Sequence, residues 1–500
     1  MIIQAFQRKL TQVRHAHPSA LYVLLSAEIP ELMGRFGIMA TLVLYLTHIL
    51  HMTDTQAFAV YGTYLMMSYV TPILGGYLAD HALGYYRSVM LGAVLMVIGN
   101  LCLIVPQIKL IYLGLSLMAI GVGFFSPSLV ALVNALYQDK DDGREQAFVL
   151  YYICRNVGAL IAPTICGIIG LTIGYEFAFL FTAVCMMVGL LIFFLGKNHL
   201  PRVALTAITT QSAVMRRLIE SFQSAPVIYS IGSLLLALLI IDAAFLLSLS
   251  VLLLAVGAIA AVYVVARLYR QADRQQYTAL HAILLSIAFM IVFFSINQLC
   301  GASFNLFVDR LVDRTVFGVE LPTSVFFSIN PLFMIVCGGF FMSLINRIKR
   351  PNVMVAAFTK YSLALLIFSM AMLVLVFAAQ QARLHQHASG LFIVLCYSLC
   401  ALSELCIVPI VIALIGRLSP VGQVGTVMGV YQFGNAIASY ITTHIANVAA
   451  VNFPLTSEHA LHRAAGLYHH IFFELTLVLL LAAIMAYAAR FIFKRSLVTG

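Results

Sequence analysis

Charge is what this 500-residue chain has least of: Asp, Glu, Lys and Arg together make up 9% of it. A soluble domain carries roughly a quarter. So few charges cannot coat a water-soluble globule of 54.8 kDa, which excludes a soluble enzyme. A 62% hydrophobic share excludes a disordered chain. Tryptophan is missing altogether. The nine cysteines (Cys102, Cys154, Cys166, Cys185, Cys300, Cys337, Cys396, Cys400, Cys406) all lie in apolar segments. They lack the spacing of a metal site or a disulfide framework, so they are expected to be small lipid-phase or core residues. No metal and no cofactor is expected. The first eighteen residues hold Arg8, Lys9 and Arg14 but no apolar core with a cleavage site. No signal peptide is therefore expected to be removed, and the first helix is expected to direct insertion.

Long apolar runs are what remains. A bilayer span needs about 20 apolar residues. Fourteen segments qualify: 19–49, 56–79, 88–106, 110–137, 146–170, 174–195, 226–245, 248–268, 279–307, 323–345, 353–378, 389–416, 422–449 and 465–493. They are too long, and too rich in Leu, Ile, Phe and Met, for the alternating strands of an outer-membrane barrel. The expected fold class is an all-α polytopic membrane protein. With both termini in the cytoplasm, twenty of the 28 Lys and Arg fall in cytoplasmic segments, and only Lys109, Arg310, Arg314, Arg383 and Arg463 in outside loops. That bias predicts the orientation. It also accounts for the net charge of +10 without nucleic acid as a partner.

The segments divide as six, two and six. This predicts an N-terminal bundle (1–195), linkers with a two-helix insertion (196–278) and a C-terminal bundle (279–500). Two six-helix halves suggest a transporter with its substrate site near the midplane where the halves meet. No constellation of paired acids with metal-ligand spacing, and no nucleophile beside a base, suggests a membrane enzyme. Glutamates and arginines deep in the spans argue against a scaffold.

The turn after the second segment runs from Gly75 and Gly76 through Asp80 to Gly84, Arg87 and Ser88. It resembles the loop signature of the major facilitator superfamily. Glycines there let helices approach, Asp80 can cap or pair, and Gly84 permits a tight turn. Further stretches narrow the resemblance to the proton-dependent oligopeptide transporter family. Segment 146–170 holds Tyr151, Tyr152, Arg155, Asn156 and Gly158. Segment 389–416 reads Ser403, Glu404, Leu405, Cys406, Ile407, Val408, Pro409. Asn297, Gln298, Gly301 and Ser303 are followed by Asp309, Arg310, Asp313 and Arg314, then Asn330 and Pro331. Nearly the whole chain is covered.

The resemblance is imperfect in the first segment. The family pattern E-x-x-E-R-F-x-Y-Y-G meets Glu28, Glu31, Leu32, Met33, Gly34, Arg35, Phe36 and Gly37. Both glutamates stand, Leu32 replaces the motif arginine, and Arg35 replaces its first tyrosine. The family's K-P-N is Ser126, Pro127 and Ser128, and its acid before Gln298 is Asn297. Phe293 and Tyr431 hold positions that are aromatic in the family.

An unpaired ion in a bilayer costs at least about 2.5–3.5 kcal/mol. Glu28, Glu31, Leu32 and Arg35 share one helix face. Arg35 and Arg155 are therefore expected to replace the two lost cations and neutralise Glu28 and Glu31. The resemblance implies that Glu28 and Glu31 carry protons, while Arg35 and Arg155, cations where the family usually has none, are expected to bind a substrate carboxylate through their guanidiniums. Glu404 would take an amino terminus. Asn156, Asn297, Gln298, Asn330 and Asn435 would contact the substrate, with Tyr69, Phe293 and Tyr431 as pocket walls. The expected protein is a multi-pass carrier in a bacterial-type inner membrane. It would act as a monomer and import di- or tripeptides or similar zwitterions with protons. Leu32, Ser126 and Asn297 keep an alternative open: another amphiphilic or anionic solute, moved without protons.

Overall fold

The computed structural model describes residues 17–137, 141–200, 243–346, 352–420, 423–455 and 457–495. Its helices are α1 (Ser19–His48), α2 (Asp54–Leu78), α3 (Tyr85–Leu103), α4 (Ile108–Ala135), α5 (Asp141–Thr172), α6 (Tyr175–Leu195), α7 (Ala243–Gln271), α8 (Arg274–Asn297), α9 (Ser303–Leu311), α10 (Thr323–Phe327), α11 (Ile329–Asn346), α12 (Val353–His385), α13 (Gly390–Leu418), α14 (Val424–Val448) and α15 (Glu458–Arg495). Among the described residues, twelve stretches are long and apolar enough to cross a bilayer. The chain is a multi-pass membrane protein. Helix α14 also has spanning length, but Gln432, Asn435, His444 and Asn447 dilute its apolar character and it is not among the twelve. Residues 226–242 of the expected span 226–245, Asp242 included, lie outside the described residues, as do Arg8, Lys9, Arg14, Lys140, Arg202, Arg216, Arg217, Arg347, Lys349 and Arg350.

Chain contacts define two units. The first comprises Met1–Ile38, Thr71–Ala162 and Glu176–Asp242. Between helices in lipid there is no hydrophobic drive, so association rests on close packing and polar contacts. Glycine supplies the close packing here. A Cβ on Gly92 would stand 2.6 Å from the Gly121 carbonyl and 2.7 Å from the Phe125 nitrogen, and one on Gly99 would stand 2.7 Å from the Gly114 carbonyl. Helices α3 and α4 thus meet backbone to backbone. A polar knot adds α6: Thr182 donates to Asn100 Oδ1 (2.6 Å), while the Asn100 amide reaches Met96 O (2.9 Å). Gly92→Ala is expected to lower stability by about 1–3 kcal/mol, because overpacking against backbone outweighs the roughly 1 kcal/mol of helix propensity gained. Gly339→Ala in α11, where nothing among the described residues lies within 4 Å, should lose nothing. Melting temperatures in detergent would show the contrast.

Unit two comprises Met39–Val70, Pro163–Tyr175 and Ala243–Gly500. Its core is aromatic. Phe307 packs on Tyr468 and Phe472 (centroids 5.1 Å in both cases), and Phe358 stacks on Phe493 at 4.9 Å. Helices α12 and α13 are joined by Ser403 donating to Ala364 O at 2.6 Å. Helix α7 leans on α14, with Gly257 against the Phe433 ring, and turns Leu252, Val256, Ile259 and Val262 outward. The segment expected to span continuously over 279–307 is broken. A 3-10 turn (Gln298–Gly301) follows α8, and Ala302 takes φ −118°, ψ −107° before α9 starts. Gly301 explains part of the break, since a Cβ there would strike the Tyr61 hydroxyl of α2. A short hairpin, β2 (Thr315–Val316) with β3 (Val319–Glu320), and a parallel pair, β1 (Val312–Asp313) with β4 (Ala388–Ser389), complete the connections.

Candidate functional site

Helix α1 carries two glutamates one turn apart, and both are buried: Glu28 is 0% exposed and Glu31 2%. They face different partners. Tyr151 of α5 donates its hydroxyl to Glu28 Oε1 at 2.7 Å. One turn on, Arg155 brings a guanidinium nitrogen 3.3 Å from that hydroxyl and 3.8 Å from the same carboxylate oxygen. Glu31 pairs with Arg35 on its own helix, Nε to Oε1 at 3.5 Å. That second pair is loose. Among the described residues, neither Glu31 oxygen, nor Nε or Nη2 of Arg35, makes a hydrogen bond.

Helix packing explains the geometry. Gly158 lets α5 lie against α1, where its missing side chain leaves room for Leu32 and for the Ile29 carbonyl. Leu32, at the motif-arginine position, is 0% exposed and fills this notch. The cluster then balances two carboxylates against two guanidiniums. Asn156, beside Arg155, bonds within its helix, Nδ2 to Tyr152 O at 2.9 Å.

The loop-motif residues also belong to the first unit. Gly75 lies so close to Gly123 that a Cβ would run into the Gly123 carbonyl, and Gly76 faces Pro127. Asp80 lies in a π-helical turn (Ala79–Leu83) and accepts a hydrogen bond from Tyr85. Gly84 has φ +76°, a backbone conformation that suits glycine.

Unit two holds the remaining expected residues. Gln298 and Asn435 are buried. Gln298 Oε1 lies 3.5 Å from the Thr442 hydroxyl, and Asn435 donates to Gln432 Oε1 at 3.0 Å. Tyr431 is 6% exposed, and Phe293, at 0%, packs on Phe368 with centroids 5.0 Å apart. Tyr69, Asn297, Asn330 and Glu404 are half-buried, in the second half of α2, at the end of α8, at the start of α11 and in mid-α13. Glu404 lies on the same face as Cys396 and Cys400, at four-residue spacing.

Sequence reasoning missed an ionic network in this unit. Arg310 of α9 forks onto Asp54 at the start of α2, with both N–O distances 2.7 Å. Asp54 also accepts from the Val451 backbone at 2.9 Å. His48 meets Asp309 at 2.9 Å, and Thr323 donates to Asp309 at 3.0 Å. Arg314 bonds Thr323 at 2.8 Å and Glu320 at 2.7 Å. Asp309, Arg310 and Arg314 stood out as a motif, but Asp54 gave no signal, because its partner is 256 residues away. Among the described residues, no group of three or more His, Cys, Asp or Glu is placed to hold a metal ion.

A sequence model described as the POT family matches residues 86–458. Peptide transporter YePEPT of Yersinia enterocolitica is 28% identical over 456 residues, covering 86% of this chain and 88% of that one. Dipeptide and tripeptide permease A of Pectobacterium carotovorum is 24% identical over 470 residues, covering 94% and 90%. In three dimensions the fold is similar to a peptide transporter POT crystallised with alafosfalin, with TM-score 0.78, 23% identity, and 94% and 96% coverage.

Proposed function

The chain belongs to the POT family, and on that premise we propose that it imports di- or tripeptides or similar small zwitterions by proton-coupled alternating access. The observation that carries this reading is the unequal treatment of two buried carboxylates. Glu28 is held by Tyr151 and Arg155, whereas Glu31 makes a 3.5 Å ionic contact with Arg35 and, among the described residues, no hydrogen bond. A buried ionised carboxylate without hydrogen bonds is costly. Glu31 is thus suited to exchange Arg35 for a proton, which frees a guanidinium for a substrate carboxylate. Arg35 and Arg155 can each bind such a group through two N–H bonds. In this reading Glu404 receives the amino terminus, and Asn156, Asn330, Asn297, Gln298 and Asn435 meet the peptide amides.

The orientation with both termini in the cytoplasm, the fourteen spans, and the division into bundles 1–195 and 279–500 around an insertion belong to the same proposal. So do an inner-membrane location and transport by each copy alone. A second reading rests on Asn297 and Leu32. The end of α8 offers an amide where the family pattern has an acid, and Leu32 is packed against Gly158. A carrier with these changes would move another small amphiphile or anion without protons.

Uptake into proteoliposomes separates the readings. With an inward proton gradient, labelled dipeptide is expected to accumulate and to leak out when an ionophore collapses the gradient. Uptake indifferent to pH, or confined to organic anions, would establish the second reading.

A further inference from the structure

Helix α15 turns one face to the aromatic core and the other away from the chain. Phe472 and Leu479 are fully buried, while Phe473, Leu477, Val478 and Leu481 are 47%, 49%, 49% and 59% exposed. On that outward face sits a polar pair: His470 Nδ1 lies 3.3 Å from Glu474 Oε1, with the two side chains 71% and 57% exposed. At 1.5 Å per residue, Glu474 is about 16 Å along the helix from Arg463 and about 24 Å from Arg490. Arg463 lies over the Phe453 ring and Arg490 over Tyr487, and basic and aromatic residues are both enriched where a span leaves the bilayer. With those two arginines at the bilayer surfaces, Glu474 would lie at the depth of the lipid tails, where an ionisable side chain calls for a partner.

We propose that this face is the contact between two copies of the chain, related by a two-fold axis along the membrane normal. The chemistry is self-complementary. A protonated histidine has two N–H donors and a carboxylate two acceptor oxygens. The contact within one copy uses one of each. In a two-fold contact a residue at one position meets the other position on the second copy, and the reverse. His470 of each copy can then donate its second N–H to Glu474 of the other, closing a four-membered ring of zero net charge. Two more features of the face fit a second α15. Gly466, one turn before His470, has nothing among the described residues within 4 Å of a would-be Cβ, so another backbone can come near. Below the ring, Phe473, Leu477 and Leu481 continue the stripe with side chains able to interdigitate. A soluble partner cannot reach this depth, and a lipid headgroup would have to leave the interface to do so.

Full-length protein carrying one fluorophore per chain, reconstituted in liposomes at high dilution, would be counted by stepwise photobleaching. Two-step traces are expected to dominate. Glu474→Leu and His470→Leu are each expected to lower the association constant at least tenfold, with melting temperature and uptake unchanged. Exchanging the pair, His470→Glu with Glu474→His, is expected to restore two-step traces. One-step traces for the unaltered protein would overturn the proposal, and so would two-step traces that persist in both leucine variants. Should one leucine variant fail to fold, the other and the exchange decide.

Discussion

Glu31→Gln is expected to abolish uphill accumulation of dipeptide while leaving exchange of labelled for unlabelled dipeptide within about threefold of the unaltered protein. Each unit of pH across the membrane is worth about 1.4 kcal/mol per proton. One coupled proton and a gradient of two units therefore support about 100-fold accumulation, and an uncoupled carrier supports none. Exchange needs no net proton movement, so it reports whether the binding site survives. Glu28 should behave differently. Its oxygen accepts the Tyr151 hydroxyl at 2.7 Å, with Arg155 alongside. Glu28→Gln leaves that guanidinium without its carboxylate, so binding and exchange fall together with accumulation. Tyr151→Phe tests the difference more gently, because it removes the phenol and keeps both charges. Exchanging Glu31 with Arg35 keeps the pair but reverses its order along the helix, which is the weaker arrangement. Partial accumulation is expected from that double variant. Undiminished accumulation by Glu31→Gln would place the proton elsewhere and remove the basis for this reading of the cluster.

How much of this was legible in the sequence depends on the range of the interaction. Spanning helices follow from local composition, and in a chain with 9% charge each long apolar run has little else to become. Glu28, Glu31 and Arg35 were legible as one face because helix periodicity is local. Arg155 entered only through charge balance, as a cation to replace one that was missing. Tyr151 stood in the family-like stretch of segment 146–170, but its role had no such signal, since nothing local ties a phenol to a carboxylate 123 residues away until Glu28 is found at 2.7 Å. The break after Asn297 was hidden for a similar reason. Leu299, Cys300 and Ala302 are as apolar as their flanks, and what stops the helix is α2, whose Tyr61 occupies the space beside Gly301. Leu32 looked like a lost charge in sequence. In space it fills the notch of Gly158, so restoring the motif with Leu32→Arg would force a guanidinium into a helix contact.

Asp54→Ala is expected to be the most destabilising single change in the ionic network, at about 3–5 kcal/mol. Asp54 is 3% exposed and accepts three hydrogen bonds, two from Arg310 and one from the Val451 backbone. Alanine leaves Arg310, whose side chain is 19% exposed, as a partly buried cation without its carboxylate. It also takes the acceptor from a buried backbone N–H. Arg310→Ala strands the opposite charge but keeps the Val451 bond, so it should cost less. Asp54→Asn keeps an acceptor while losing the charge, and should fall between the two alanine variants. The lost carboxylate dominates: a bidentate guanidinium pair is stronger than neutral hydrogen bonds, and the stranded ion pays for desolvation with nothing in return. Thermal unfolding in detergent, followed with all three variants and the reversed pair Asp54→Arg with Arg310→Asp, measures this directly. The expected order of melting temperature is the unaltered protein, then Arg310→Ala, then Asp54→Asn, then Asp54→Ala. The reversed pair should recover part of the loss, but not all of it, because an arginine at position 54 cannot accept from Val451. Equal melting temperatures for Asp54→Ala and the unaltered protein would show that the pair contributes nothing to the fold.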